Sequence, residues 1–298
     1  MISVIIPHFN QPEHLDRCLT ALQAQRGAAP DTEILVVDNG SKLLPEAIVA
    51  RHDGVRLLQE PTPGPGPARN FGVAQSRGDI LAFIDADCVP SPDWLAVIAR
   101  RMAQGATVLG GDVRILQEPG TPLTVVAAYE SEFAYRMEHY IRRQNFTGTG
   151  NLAMRRQVFD TVGPFAGIGI AEDRDWGHRA HALGHVITWA PDMLVFHPAR
   201  DSMTELCRKL DRHAAHDFEL ITAKPAGRLR WIGRIGAMAV SPLAVIPRVM
   251  LSSRIPGGLG GRLKAFRGVT GTRLYRARRM AQLIGARDPD LLVSRWRE

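Results

Sequence analysis

Residues 78–90 read Gly-Asp-Ile-Leu-Ala-Phe-Ile-Asp-Ala-Asp-Cys-Val-Pro, and this stretch predicts the centre of the fold. Ile80–Ile84 is an unbroken apolar run, which is typical of a strand buried on both faces of a parallel sheet. Asp85 and Asp87 follow where the strand ends, and open α/β sheets bind their ligands at the carboxyl ends of their strands. Side chains at i and i+2 share a face, so both carboxylates can reach one cation or one nucleotide. A solvated turn explains the same residues, since aspartate is common in turns.

The residues before this stretch predict a parallel sheet. Ser3–Ile6 and Glu33–Val37 have the composition of buried strands, and the apolar positions after Pro12 have the spacing of an amphipathic helix. A strand, a helix and a second strand in this order form a βαβ unit, in which the strands are parallel. The predicted fold class is therefore α/β, with a single Rossmann-like, mostly parallel sheet flanked by helices. Further strands are predicted at residues 55–58, 106–110, 186–189 and 194–196, and further helices at 68–76, 92–104, 122–143 and from 171.

The net charge of the 298-residue chain, +7, is unevenly distributed. No acidic residue lies between Glu219 and Asp288, a segment that contains 14 Lys and Arg residues, so the rest of the chain has a net charge of −7. We therefore predict a catalytic domain of residues 1–222 and a basic, partly apolar helical region of residues 223–298. Such a region needs an anionic partner, either a membrane surface or a nucleic acid. Few aromatic residues lie among the arginines and no recognised motif accompanies them, which disfavours nucleic acid.

The apolar part of the basic region, Ile235–Ile246, is predicted to be too short to span a membrane, and Pro242 interrupts it. Arginines flank it on both sides. It is therefore predicted either to lie at a membrane surface beside anionic headgroups or to form a buried helical hairpin with a solvated basic face. Gly257–Gly261 predicts a flexible break before a second basic helix at residues 262–283.

Cysteine usage and the first residues indicate the compartment. The three cysteines are odd in number and far apart in sequence, which argues against a disulfide framework or a zinc site. Residues 1–7 have neither the basic region nor the long apolar region of a secretory signal. We expect a cytoplasmic protein, with peripheral attachment to the inner face of the plasma membrane as an open alternative.

Four motifs occur in order along the first 200 residues. They are Val36-Val37-Asp38-Asn39-Gly40-Ser41, Gly66-Pro67-Ala68-Arg69-Asn70-Phe71-Gly72, Asp85-Ala86-Asp87, and Glu172-Asp173 followed by His197. In this order and spacing the chain resembles the family-2 inverting glycosyltransferases, which have the GT-A fold. Val4–Asn10 is similar to the first strand of that family. The set of motifs is specific, although no single motif would be sufficient.

The resemblance implies a divalent cation. Transfer of a sugar from a nucleotide-diphosphate sugar expels a diphosphate, whose developing charge a metal ion neutralises. Asp87 would be a metal ligand, Asp85 would lie near the ribose and the metal, and His197 would complete the protein ligands. Carboxylate oxygens with one imidazole suit Mn²⁺ or Mg²⁺. By position alone, His197 is better explained as a strand-end residue beside a turn, and its spacing from Glu172 and Asp173 reverses that preference.

The resemblance also implies roles for two acids at the start of a predicted helix. An inverting transfer needs one base opposite the leaving group, to accept the proton of the acceptor hydroxyl. Asp173 would be that base, and Glu172 would place it or bind the acceptor. Acids are also frequent in the first turn of a helix, where they interact favourably with the helix dipole, so a structural role stays open.

Other residues of the motifs would bind the nucleotide. Asp38 resembles the acid of the family that recognises the base. Pro7, Phe9 and Asn10 would line the base pocket, in part through backbone groups. Arg69 resembles the arginine of the family that lies near the nucleotide, where a cation would interact with the diphosphate.

Two departures from the family narrow the expected activity. Asn39 stands where family members often have a second aspartate. This change keeps the first acid of the motif, Asp38. The Gln-x-x-Arg-Trp signature of processive synthases is absent, and so are long apolar spans. We therefore expect one sugar to be added per encounter, to a lipid-linked or saccharide acceptor, in the synthesis of a cell-surface polysaccharide or a glycolipid.

Other functions compete with this interpretation. A sugar-phosphate nucleotidylyltransferase has a similar sheet, but it needs a Gly-rich basic loop after the first strand, where this chain has residues 7–12 without glycine or arginine. A dinucleotide-dependent dehydrogenase needs Gly-x-Gly-x-x-Gly after a strand, which is also missing there. A non-catalytic sugar-binding or membrane scaffold module remains, although Asp85, Asp87, Asp173 and His197 argue against loss of activity.

Overall fold

The computed structural model describes residues 1–25, 27, 31–118, 120–200, 202–223 and 225–285. These residues form two compact units. The first consists of Met1–Leu116 and Tyr135–Pro198, and the second consists of Gln117–Ala134 and the described residues from Ala199 onward. The predicted domain boundary after residue 222 lies within the second unit and stays a prediction, and residues 286–298 of the predicted basic region lie outside the described residues.

The strands of the described chain all belong to the first unit and form one sheet. In chain order they are β1 (Ile2–His8), β2 (Thr32–Asp38), β3 (Val55–Gln59), β4 (Ile80–Ile84), β5 (Val89–Pro90), β6 (Val108–Ile115), β7 (Asn151–Arg155) and β8 (Thr188–His197).

The helices are divided between the two units. In chain order they are α1 (Pro12–Gln23), α2 (Glu46–Val49), α3 (Pro65–Gln75), α4 (Trp94–Ala103), α5 (Val125–Phe133), α6 (Met137–Gln144), α7 (Arg156–Val162), α8 (Glu172–Ala182), α9 (Met203–Thr222), α10 (Gly227–Ala244), α11 (Ile246–Leu251) and α12 (Gly258–Gly285). Helices α5 and α9 to α12 belong to the second unit, and the others belong to the first.

The sheet has the order β3-β2-β1-β4-β7-β6-β8-β5. Strands β3, β2, β1 and β4 are parallel, as the βαβ pattern predicts, and β7 is antiparallel to both β4 and β6. Because β1, β2 and β4 are parallel neighbours, their carboxyl ends lie at the same edge of the sheet. The candidate residues that follow these strands in the sequence are therefore brought to that edge.

The core of the first unit lies on both faces of the sheet, because alternate residues of a strand point to opposite faces. In β1, Val4 and Ile6 belong to one apolar cluster and Ile5 belongs to the other. Leu15 of α1 and Trp94 of α4 pack in the first of these clusters. A strand that is covered on both faces needs an unbroken apolar sequence, and this explains why β1, β2 and β4 were predicted close to their observed bounds.

Three predicted elements of the chain are wrong. The helix at 122–143 is two helices, because Tyr135 between them has φ of +46°, a left-handed conformation that interrupts an α-helix. The strands at 186–189 and 194–196 are the single strand β8, which pairs with β6 through an irregular register at Gly111 and Asp112. The glycine run at 257–261 does not precede the second basic helix, since α12 begins at Gly258.

The second unit is helical in its described part and has two apolar clusters. Ala128 of α5 packs with Val249 and Ala265, and Trp231 of α10 packs with Ala214 and Met280. The stretch Gly227–Leu251, 25 residues long, is the one described segment that is long and apolar enough to cross a membrane by length and composition, and 11% of its most apolar window is buried. This stretch is longer than the segment 235–246 considered above, and the expectation that residues 235–246 do not span a membrane stays a prediction.

Candidate active site

Arg69 connects the end of β4 with the start of α8. Its side chain is only 3% exposed, and its two terminal nitrogens donate to different carboxylates, at 2.6 Å to Oδ1 of Asp85 and at 3.0 Å to Oε1 of Glu172. The Nε of Arg69 is buried without a hydrogen-bond partner among the described residues. The arginine therefore joins two predicted site residues that are 87 positions apart, and it holds Glu172 at the edge of the sheet.

The position of Arg69 follows from how α3 begins. The prolines at residues 65 and 67 suit the first turn of a helix, which starts three residues before the predicted position. A Cβ on Gly66 would lie 2.0 Å from the carbonyl oxygen of Ala166, so only glycine permits this close approach. The amide of Asn70 exchanges hydrogen bonds with the backbone of Phe165, at 2.9 and 2.8 Å. These contacts fix α3 against the glycine-rich segment that precedes α8.

Asp87 and His197 form the second pair of predicted residues that the fold brings together. Nε2 of His197, the last residue of β8, lies 3.2 Å from Oδ2 of Asp87, and Nδ1 lies 2.6 Å from the carbonyl oxygen of Pro198. A carbonyl only accepts, so Nδ1 carries a hydrogen and donates it. This bond orients the ring with Nε2 toward Asp87.

The two groups shift each other's pKa. Burial raises the pKa of Asp87, but the hydrogen bond and charge of His197 outweigh it, so the net pKa is lowered. Burial lowers the pKa of His197, whereas its interactions with Asp87 and with the carbonyl of Pro198 raise it, and the net pKa is raised. The pair therefore favours a carboxylate beside an imidazolium.

Tyr135 supports the imidazole ring from one side. The two rings lie 4.8 Å apart between centroids, at an interplanar angle of 36°. Tyr135 also has the positive φ that interrupts the helix predicted over this region. A non-glycine residue in this conformation is uncommon and often marks a functional site. Nothing in the sequence around Tyr135 indicated this role.

Asp173 is the predicted base, and the pKa of its carboxyl group is higher in the protein than in water. Burial raises its pKa above the usual range for an aspartate, and the charge of Glu172 raises it further. The backbone N–H of Arg174, which donates to Oδ1 of Asp173 at 2.7 Å, and the charge of Arg69 offset part of this effect. A raised pKa brings a carboxylate closer to the basicity that a general base needs near neutral pH.

Asp38 has a structural environment that the sequence did not reveal. Its Oδ1 lies 2.9 Å from Nδ1 of His8, and its Oδ2 accepts from the backbone N–H groups of Gly40 and Ser41. Burial raises the pKa of Asp38, and the bonds from Ser41 and His8 overcome it, so the net pKa is lowered. The carboxylate is buried and forms the turn after β2. Its predicted contact with the nucleotide base stays a prediction.

Phe9 and Asn10 lie at the carboxyl end of β1, as predicted. Phe9 is 56% exposed, and a large apolar ring in this position provides a flat surface for a planar ligand. Asn10 has φ of +53°, and its side-chain oxygen accepts from the N–H of Lys42, while Ser41 Oγ accepts from the N–H of Asn10. Pro7, within β1, pairs with Val37 of β2. These bonds join the loops after β1 and β2.

Asn39 is a residue whose importance the sequence reasoning missed. Its Nδ2 donates to the carbonyl oxygens of Glu60 and Thr62, both at 2.8 Å, and its Oδ1 accepts from the N–H of Gly64 at 2.6 Å. The amide thereby holds the Pro/Gly loop that leads into α3 and to Arg69. An aspartate, which has no donor when it is ionised, could not make the first two bonds. The departure from Asp to Asn was the available signal.

Gly150, just before β7, is a second missed residue. A Cβ at this position would lie 2.5 Å from Oδ2 of Asp85. The absence of a side chain at Gly150 therefore allows Asp85 to turn toward Arg69.

The described residues contain no group of three or more His, Cys, Asp and Glu side chains arranged as a metal site. Of the three predicted ligands, Asp87 and His197 are in contact, whereas the carboxylate of Asp85 faces Arg69. The structure thus brings two of the three predicted ligands, Asp87 and His197, into contact, and the presence of a metal ion stays a prediction.

Comparisons with known proteins place the chain in a family. The profile of the family described as Glycosyl transferase family 2 matches residues 3–163, more than half of the chain. Glycosyltransferase AglE of Haloferax volcanii is 35% identical over 206 residues, which are 67% of this chain and 67% of that protein. Pre-mycofactocin glycosyltransferase of Mycobacterium tuberculosis is 26% identical over 291 residues, 94% of this chain but 58% of that protein. The chain thus spans about two thirds or less of the length of these relatives.

A solved structure has the same fold. The mannosyltransferase PcManGT of Pyrobaculum calidifontis, determined in complex with GDP-Man and Mn²⁺, matches with a TM-score of 0.57 and 17% identity, over 96% of this chain and 88% of that chain. At this identity the likeness shows the fold alone, and it confirms the predicted GT-A class. The profile match and the similarity to AglE show that the chain belongs to glycosyl transferase family 2 and is a glycosyltransferase.

Proposed function

We propose that the chain is a metal-dependent, inverting and non-processive glycosyltransferase. It transfers a sugar from a nucleotide-diphosphate sugar to a hydroxyl group of a lipid-linked or saccharide acceptor, in the synthesis of a cell-surface polysaccharide or a glycolipid. The observation that carries the proposal is the pair of bonds from Arg69 to Asp85 and Glu172. They connect the acids that follow β4, on the donor side, with the acids that begin α8, on the acceptor side.

The donor side is the sheet edge where β1, β2 and β4 end. The exposed ring of Phe9 provides a stacking surface for the nucleotide base. Asp38 shapes the adjacent turn through its bonds to Gly40 and Ser41. Both terminal nitrogens of Arg69 donate to carboxylates. These contacts support a role in positioning Asp85 and Glu172, which we place before the proposed contact of Arg69 with the diphosphate.

The residues at this edge fit a divalent cation. The carboxylate of Asp87 and Nε2 of His197 are hard and borderline donors that suit Mn²⁺ or Mg²⁺, and the bond of Nδ1 to Pro198 leaves Nε2 as the ligand atom. Asp85 would contact the metal or the ribose. When bound, the cation would neutralise charge on the leaving diphosphate. The solved structure of PcManGT, which has the same fold, is a complex with GDP-Man and Mn²⁺, and this supports the kind of ligand proposed.

On the acceptor side, Asp173 accepts a proton. The acceptor oxygen forms a bond to the anomeric carbon while the bond from that carbon to the diphosphate oxygen breaks. The hydroxyl proton passes to the Asp173 carboxylate, and the nucleoside diphosphate leaves with the bonding electrons. Attack from the face opposite the leaving group inverts the anomeric centre, and burial gives Asp173 a raised pKa that suits this role.

A thermal-shift screen tests this proposal. Nucleoside diphosphates and their sugars are added with and without Mn²⁺, and melting is recorded for the wild type and for Asp87→Asn. A ligand present at 100 times its Kd stabilises the folded state by about 2.7 kcal/mol. We expect one nucleotide to stabilise the wild type most, chiefly with Mn²⁺, and Asp87→Asn to lose the Mn²⁺-dependent part. If no nucleotide raises the melting temperature, the donor class is wrong, and if the metal has no effect, the metal site is wrong.

A further inference from the structure

The outer face of α10 and α11 is apolar and exposed. We define this face by Leu229, Ile232, Val240, Leu243 and Met250, which are exposed by 72%, 52%, 66%, 68% and 43%. Their positions recur at helical spacing, so they form one stripe along the segment. An apolar stripe of this length on the surface of a protein is uncommon and marks a binding surface.

The opposite face of the same helices is already covered. Trp231 is 1% exposed, and its Nε1 donates to the carbonyl oxygen of Met280 in α12 at 2.9 Å. Val249 of α11 is buried beside Ala265 of α12. Helix α10 is therefore apolar on two sides, and packing within the second unit accounts for only one of them.

Exposed basic side chains lie on the same helix as the stripe. Arg228, Arg230 and Arg234 are exposed, and none of them has a carboxylate partner among the described residues. The sequence has no acidic residue from 220 to 287 that could neutralise them locally. By helical spacing Arg228 and Arg230 flank the apolar stripe, whereas Arg234 lies on the side of Trp231. Exposed arginines that flank an apolar stripe complement a surface that is apolar inside and anionic outside, as a bilayer with anionic headgroups is.

The contact between α12 and α10 bears on whether α10 lies on a bilayer or crosses it. Arg273 of α12 donates to the carbonyl oxygen of Ser241 in α10 at 2.7 Å. A spanning α10 would bring this arginine into the hydrocarbon region, where a charged side chain is costly. Helix α12 also contains six further Lys and Arg residues. The pair α10 and α12 is thus compatible with a helix in the plane of the membrane surface, with the outer face toward the lipid.

We propose that the outer face of α10 and α11 docks the protein on an anionic lipid bilayer, as a peripheral interfacial contact. The apolar stripe enters the region between headgroups and acyl chains, and Arg228 and Arg230 contact the anionic headgroups. The surface belongs to the second unit and needs neither donor nor acceptor, so this inference is independent of the proposed function.

Vesicle flotation of the full chain tests the docking surface. The protein is mixed with vesicles of phosphatidylcholine alone, or of phosphatidylcholine with 30% phosphatidylglycerol, at low and at high salt. We expect the wild type to float with anionic vesicles at low salt and to be released at high salt, because salt screens the attraction. Binding should fall about fivefold for each of Arg228 and Arg230 replaced by glutamine.

The double variant V240D/L243D tests the apolar stripe, and L183D/V186D is its matched control. The control exchanges one leucine and one valine that are 53% and 67% exposed in the first unit. We expect V240D/L243D to bind anionic vesicles at least tenfold more weakly, with an unchanged melting temperature, and the control to bind as the wild type does. Equal flotation of V240D/L243D and the wild type would overturn the proposal.

Three other results would overturn it. Equal binding to neutral and anionic vesicles would show that the arginines do not contribute to the lipid contact. Protein that is released from vesicles only by detergent would show a spanning helix. A wild type that ignores vesicles but forms a dimer, which V240D/L243D converts to a monomer, would show that a second copy covers this face.

Discussion

Replacing Arg69 by methionine tests the contact that connects the two sides of the site. The guanidinium makes two charge-assisted hydrogen bonds, at 2.6 Å to Asp85 and 3.0 Å to Glu172. A hydrogen bond to a charged group contributes about 1.5–3 kcal/mol to the free energy of unfolding. Loss of both bonds would therefore lower the free energy of unfolding by at most about 3–6 kcal/mol. Asp85 is 38% and Glu172 is 22% exposed, so water can hydrate both carboxylates once the arginine is gone.

This hydration reduces the expected loss in the free energy of unfolding to about 2–4 kcal/mol. At about 2–4 °C for each kcal/mol, the melting temperature should fall by about 4–16 °C. Transfer should fall at least about 100-fold, because Glu172 and the adjacent Asp173 lose the contact that positions them. Arg69→Lys should not restore either quantity, since a lysine cannot hold two carboxylates in the planar geometry of a guanidinium.

The assay is differential scanning calorimetry together with steady-state release of the nucleoside diphosphate. The matched control is Arg142→Met, which removes an exposed i,i+4 ion pair with Glu138 and should cost only about 0.3–0.5 kcal/mol. If Arg69→Met melts and transfers as Arg142→Met does, the buried bridge does not organise the site, and the reasoning from its geometry is refuted.

Three further predictions concern the base, the loop and the strand edge. Asp173 must be ionised to accept a proton, and its pKa is raised. On acidification, transfer should therefore be lost at a pH above about 3.9, the usual pKa of an aspartate. Because the charge of Glu172 contributes to the raised pKa, Glu172→Gln should move this loss to lower pH. A pH profile of kcat/KM measures both, and a shift to higher pH in the variant would contradict the assignment. Asn39→Asp should lower the free energy of unfolding by about 1–3 kcal/mol in chemical denaturation, because two backbone carbonyls lose their donor; an unchanged midpoint would show that the loop does not need the amide. Gly150→Ala should reduce transfer, because the new Cβ would lie 2.5 Å from Oδ2 of Asp85 and displace that carboxylate, and wild-type kinetics would show that the position of Asp85 is not critical.

The strands that organise the site were predictable from local sequence. Ile80–Ile84 was predicted with the bounds that β4 has, since a strand buried on both faces requires an unbroken apolar run. The placement of Asp85 and Asp87 after that strand followed from the same run. The start of α8 at Glu172 was also close to its predicted position, because acids favour the first turn of a helix.

The contacts within the site depend on long-range packing and were not predictable from single motifs. Arg69 was expected beside the nucleotide, and the structure shows it bound to carboxylates 16 and 103 residues away. The break at Tyr135 and the ring contact of Tyr135 with His197 arise from a backbone conformation that the surrounding residues do not signal. Local pattern predicts an element, whereas the partner of a buried polar side chain is decided by the tertiary fold.

The most direct test of the account is transfer by Asp173→Asn, measured beside nucleotide binding by the same protein. Asparagine keeps the size of the side chain and removes its basicity, and Asp160→Asn on the exposed surface of α7 is the matched control. We predict that Asp173→Asn loses at least about 100-fold in the rate of transfer, while its Kd for the nucleotide stays within about twofold of the wild type. Transfer by Asp173→Asn at the rate of the Asp160→Asn control would contradict the central claim, that the carboxylate at the start of α8 is the base of a glycosyl transfer.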